Sequence, residues 1–126
     1  MIASEIRDLV EYVNSTAKAK CYFGMRDADP NEYPVVQVRM VEEFNIFRDN
    51  QKTLTTDLPL ELRIIVSKEN EYKALEVLER LYLKINQFNP QKGHQLEDAG
   101  TPEYVEDTKT FEIGLIYKLK LLIQDT

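Results

Sequence analysis

Apolar residues recur along this chain with two different periods. Between residues 2 and 19, Ile2, Ile6, Leu9, Val10 and Val13 fall at helical intervals, with Glu5, Arg7, Asp8 and Glu11 between them. This spacing predicts an amphipathic helix of about five turns. A second stretch of the same kind, residues 70–88, sets Leu75, Leu78, Leu81, Tyr82, Ile85 and Phe88 on an apolar stripe. Lys73, Glu76, Glu79, Arg80 and Lys84 make its wet face. Asn89-Pro90 ends that helix, because the residue before a proline is pushed out of the helical region.

Elsewhere the period is two. Lys20–Met25 predicts a short strand, and RDADPNEYP after it an exposed loop. In PVVQVRMVEEFNIF, Val36, Val38, Met40, Phe44 and Ile46 share one face of a strand, with Glu42 the exception. RDNQKTLTTD supplies turn residues, and LPLELRIIV returns with Leu58, Leu60, Leu62, Ile64 and Val66 alternating. Pro59 fits a strand beginning or an edge. At the far end Phe111, Ile113, Leu115, Tyr117, Leu119, Leu121 and Ile123 occupy every odd position. Fully extended, residues 111–124 span ~46 Å, against a radius of gyration of ~14 Å for a domain of this size. Such a strand must bend at Gly114, project, or pair with a neighbouring subunit. Together these elements predict one α+β domain over residues 1–126. Its architecture is a mainly antiparallel β-sheet packed with one long central helix plus an N-terminal helix.

Charge sharpens one region. From His94 to Glu112 six acids face one base, Lys109. With Gly93, Gly100 and Pro102 this predicts a solvated acidic loop at about residues 90–110, with a short strand at Tyr104–Val105. The chain as a whole carries −6, and neither half is basic. No Lys/Arg stripe marks a nucleic-acid reader, so no sequence-specific nucleic acid is expected. The apolar runs fall short of the ~20 residues of a membrane span, so no membrane partner is expected. The charged N-terminal helix is unlike a signal peptide, and a lone cysteine fits a reducing compartment.

Candidate chemistry is sparse. A single cysteine, Cys21, excludes an internal disulfide and multi-cysteine zinc sites; a single histidine, His94, excludes sites that need two imidazoles. His94 reads as a solvated loop histidine, with a general base oriented by Glu97 or Asp98 as the sharper alternative. Cys21 reads as a structural thiol. The acids at 97–112 lack EF-hand spacing and read as solvated rather than as a divalent-cation site. Glu42 and Glu43, adjacent on a strand, point to opposite faces and do not converge. No catalytic, cofactor or metal residues are therefore assigned, and no enzyme is expected. Tyr22, Phe23 and Tyr33, flanking the loop at 24–34, are candidate interface anchors.

Three local features narrow the pattern. A Pro-led strand, Tyr33-Pro34-Val35-Val36-Gln37-Val38, precedes the strand Leu58-Pro59-Leu60-Glu61-Leu62-Arg63-Ile64-Ile65-Val66. The helix Ala74-Leu75-Glu76-Val77-Leu78-Glu79-Arg80-Leu81 follows, and the chain closes on Thr110-Phe111-Glu112-Ile113-Gly114-Leu115-Ile116-Tyr117. This order resembles the tail terminator (tail completion, head–tail joining) proteins of long-tailed bacteriophages and related prophage particles. The resemblance implies a structural virion protein with no catalytic residues. It implies a small subunit that assembles with itself into a ring, typically a hexamer, capping the tail tube protein and meeting the head connector protein. Its place would be the tail or neck of the virion, and the host cytoplasm during assembly. Loops of such proteins reach the ring lumen or the next ring, which makes Glu97, Asp98, Glu106 and Asp107 candidate lumen or rim residues. A small-molecule or peptide-binding regulatory α+β domain is the alternative.

Overall fold

The computed structural model describes residues 2–41, 46–49 and 53–124. The expected α+β class is what it contains: one six-stranded sheet, antiparallel except for its first pair, and two α-helices. In chain order these are α1 (Ile2–Thr16), β1 (Lys20–Phe23), β2 (Val35–Met40), β3 (Ile46–Asp49), β4 (Thr53–Ser67), α2 (Glu71–Lys84), β5 (Gln95–Val105) and β6 (Thr110–Gln124). The strands lie in the order β1-β2-β4-β6-β5, and β3 also pairs with β4. No helix among the described residues is long and apolar enough to cross a membrane.

Both helices cover one face of the sheet. Ile6, Leu9 and Val13 of α1 and Ala74, Val77 and Leu81 of α2 pack against Val36, Val38, Leu60, Leu62, Ile64, Leu115 and Tyr117 in one core. The stripe of α2 is therefore turned from the expected one. Ala74 and Val77 are buried in place of Leu75, which is 48% exposed, and Leu78 and Tyr82 are only partly buried. Ile85 and Phe88 close the stripe as expected. The Tyr12 hydroxyl donates to the Lys84 carbonyl at 2.6 Å, satisfying one of the open carbonyls at the end of α2 and tying the helices together.

Four strand expectations are corrected. First, the stretch 34–47 holds two described strands, β2 up to Met40 and β3 from Ile46, in place of one. Met40 pairs with Leu60 and Ile46 with Thr56, six steps along one side against four along β4. Glu42, Glu43 and Phe44 lie outside the described residues. Second, β4 is fifteen residues long rather than beginning at Leu58, because Thr53–Asp57 pairs with β6. Pro59 thus sits mid-strand, between the last β2 pair at Leu60 and the first β3 pair at Thr56 among the described residues. Third, the pairing of β6 is unbroken at Gly114, and the strand finds its partner within the chain, with fifteen consecutive pairs to β4 from Thr53↔Gln124 to Ser67↔Thr110.

Fourth, most of the expected acidic loop at 90–110 is strand. β5 runs from Gln95 to Val105 along the outer side of β6, leaving only a tight turn before Thr110. A register shift between Leu96 and Gly100 carries part of the acidic run. Where pairing resumes at Gly100, a Cβ would lie 3.1 Å from a methyl of Leu115 and 3.3 Å from one of Ile113, so a larger residue there requires those side chains to give way. Solvation and strand pairing are compatible here, because an edge strand keeps one side wet.

Candidate functional site

The face of the sheet that no helix covers carries a chain of polar contacts. Adjacent residues of a strand point to opposite faces, so the register that buries Leu62 and Leu115 on one side aligns Tyr22, Gln37, Arg63 and Gly114 on the other. Gln37 is fully buried; its amide donates to the Tyr22 hydroxyl and to the Arg26 carbonyl, both at 2.7 Å. Its carbonyl oxygen accepts from the Arg39 guanidinium. Arg39 faces Glu61 at 3.7 Å, and Glu61 faces Arg63 at 3.6 Å. Arg63 then donates to Glu112 and to Glu103, each at 2.5 Å. Thr110 donates to the second oxygen of Glu112 at 2.6 Å.

Arg63 is held among three carboxylates. Desolvation works against its charge, but the hydrogen bonds to Glu112 and Glu103 outweigh it and raise its pKa further. Gly114 makes room for this arrangement. A Cβ there would come within 2.9 Å of a Glu61 carboxylate oxygen and 3.3 Å of the Arg63 guanidinium. Its role is clearance for side chains lying across β6.

Two of the three aromatic candidates lie near this network. Tyr22 is half-buried beneath the Arg26 guanidinium, 3.7 Å from the ring centroid. Tyr33 is near it; burial first, then the Glu112 carboxylate and Tyr22, push its hydroxyl pKa up. Phe23 belongs to the opposite face of β1 and is 49% exposed. The acidic candidates are not one cluster. Glu97 is exposed near the start of β5, 3.5 Å from Lys118, and the Asp98 side chain lies outside the description. Glu106 and Asp107 are exposed in the turn after β5, where Glu106 accepts from Lys68 at 2.6 Å.

His94 is not the solvated loop residue of the sequence reading. Its side chain is 1% exposed, stacked on Phe88 and edge-on to Tyr117. The Lys120 backbone N–H donates to its Nδ1 at 2.9 Å, and its Nε2 lies 3.0 Å from the Glu5 carboxylate. With Nδ1 accepting, the neutral ring carries its hydrogen on Nε2 and donates it to Glu5. Both nitrogens are thereby occupied, which leaves no basic lone pair for proton transfer. The orienting carboxylate is Glu5, 89 positions away, rather than Glu97 or Asp98.

Glu5 also accepts from Asn89 and Lys92, each at 2.8 Å. Burial would raise its pKa, but these donors together lower it. The centre clamps the first turn of α1, where a carboxylate also suits the helix dipole, to the segment leading into β5. One signal for it was in the sequence: Glu5 stands at helical spacing from Ile2 and Leu9, inside the apolar stripe. Cys21 is buried, and desolvation pushes its thiol up to about 12, which makes it inert, as expected of a structural thiol.

Beyond the last β2 and β5 pairs, at Leu60 and Lys118, the sheet narrows to three strands. β3, the start of β4 and the end of β6 continue as an arm. Between this arm and the start of α1 lies a cleft of about 660 Å³, lined by Ser4, Glu5, Thr56, Lys92, Lys120 and Leu122 among others. The Thr56 hydroxyl on its wall is buried without a hydrogen-bond partner among the described residues. No protein-family model matches this sequence, and a comparison with curated proteins finds no match.

Proposed function

We propose that the chain is a structural virion subunit of the tail-terminator kind. In this reading it is a homo-oligomeric ring protein, a hexamer, that caps the tail tube and joins it to the head connector at the neck of the particle. The observation that carries this reading is the arm. Fifteen unbroken β4–β6 pairs run on past the last β2 and β5 pairs and end, with β3 alongside, in a three-stranded ribbon with Leu122 59% exposed. A lone subunit gains little from extending a sheet past its own core, whereas a ring subunit gains a lever onto a neighbour or onto the tube. A non-catalytic role is in keeping with a buried His94 whose two nitrogens are both engaged and with an inert Cys21.

The regulatory, ligand-binding reading rests on the cleft at Thr56, the one buried hydroxyl lacking a partner among the described residues. Solution mass separates the two. A ring gives a mass near six times 14.7 kDa, alone or when added to isolated tail tubes, and electron microscopy places it at the tube end. A protein that remains monomeric or dimeric and leaves tube ends bare overturns the ring.

A further inference from the structure

We infer that ring neighbours meet through the two opposite edges of the sheet, the β1 edge of one copy against the β5 edge of the next. This rests on the ring reading and assigns the surfaces that build it. Residues 18–26 contain Lys18, Lys20 and Arg26 and no acid; residues 95–107 contain five acids and no base. The strand order sets these segments at opposite ends of the sheet. A cyclic ring needs that arrangement, because each copy must offer two different, complementary surfaces facing away from each other. Opposite charge on the two surfaces steers them together and opposes like-on-like contacts.

The charge is only partly spent within the chain. Lys20 reaches Glu32 at 2.6 Å, and Glu97, Glu103 and Glu106 hold Lys118, Arg63 and Lys68. Yet the Glu103 and Glu106 side chains remain 57% and 75% exposed, and neither Lys18 nor Asp107 enters an ion pair among the described residues. Each edge also offers apolar area: Phe23 and Met25 on the basic side, Tyr104 on the acidic side. Pro102 and the register shift in β5 interrupt its outer hydrogen-bonding edge. The contact is therefore made by side chains, and the copies are free to turn into a closed ring instead of zipping into a continuous sheet.

Two charge-reversed proteins test this: Lys18→Glu with Lys20→Glu, which takes residues 18–26 from +3 to −1, and Glu97→Lys with Glu106→Lys and Asp107→Lys, which takes residues 95–107 from −5 to +1. Circular dichroism and melting establish that each folds; should either not, the neutral pairs Lys18→Gln/Lys20→Gln and Glu97→Gln/Asp107→Asn take its place. Sedimentation is then measured alone and on isolated tail tubes. Each variant alone should fall to monomer where the wild type is assembled, a loss of at least tenfold in association. An equimolar mixture of the two reversed proteins should regain the wild-type mass, since every interface in an alternating ring again joins opposite charges. If the neutral pairs are used, each is read alone and a tenfold weakening is the expected result. A wild-type ring unmoved by these changes keeps the ring and overturns the edges. A wild-type protein that never assembles, alone or on tubes, overturns both.

Discussion

On one side of the sheet β2, β4 and β6 present Val36, Val38, Leu62, Ile64 and Leu115, all buried beneath two helices. On the other side the same strands present Gln37, Arg39, Glu61, Arg63 and Glu112, with no helix above them. The polar side is nonetheless drawn in: the Arg63 and Glu112 side chains are only 13% and 11% exposed. Apolar burial tolerates any well-fitting neighbour and is insensitive to which strand supplies it. A half-buried guanidinium is held only while its particular carboxylates stay in register. The first face supplies cohesion and the second fixes alignment.

Truncation on the apolar face is expected to have the largest effect. Leu62→Ala removes a fully buried side chain between Val38 and Leu115, and should cost ~2–5 kcal/mol in urea unfolding. A loss well under ~1 kcal/mol would mean this face is not the centre of the core.

Breaking the polar face comes next. Arg63→Ala leaves Glu61, Glu103 and Glu112 facing one another without their cation, an expected loss of about 2–3 kcal/mol. Arg63→Met should recover part of that loss by restoring stem packing, but not the register. If Arg63→Ala were neutral, the network would be surface decoration and the contrast between the faces would fail.

Acid should loosen a third region. Glu5 has a folded pKa below its unfolded value, so its contribution is fully present above the ordinary carboxylate range. It is lost as pH falls through the lower folded value. Wild type should therefore be more stable than Glu5→Gln at neutral pH, and urea titrations should bring the two together as the pH falls below ~4. A constant gap across that range would mean that the carboxylate charge contributes nothing to the clamp.

The same contrast explains what could be read from the sequence. Period-two alternation located the cores of β4 and β6 because it reports which side faces oil, and it needs no knowledge of partners. It could not reveal that Arg63 meets Glu112, because that contact depends on a register across 49 positions. Nor could it reveal that His94 meets Glu5, which folding alone brings together. The acidic stretch read as loop because edge strands tolerate the charges, glycine and proline that central strands exclude. Residues 111–124 looked too long when set against the radius of the domain alone; β4, paired with β6 over fifteen positions, is the partner that this comparison left out.

The smallest expected effect falls where the helical pattern misled. Leu75 fits the stripe by spacing, yet α2 is rotated so that Ala74 and Val77 face the sheet. A stripe wider than one face offers two registers, and Ala74 allows the closer approach of helix to sheet. Leu75→Ala therefore removes a side chain that is already half in water and substitutes the best helix former. The change in stability should stay within about 0.5 kcal/mol, measured by urea unfolding of dilute protein. Leu78→Ala, three residues on and partly buried against the core, should cost more. If the two came out in the reverse order, the rotation of α2 described here would be wrong, and with it the assignment of which helical residues close the apolar face.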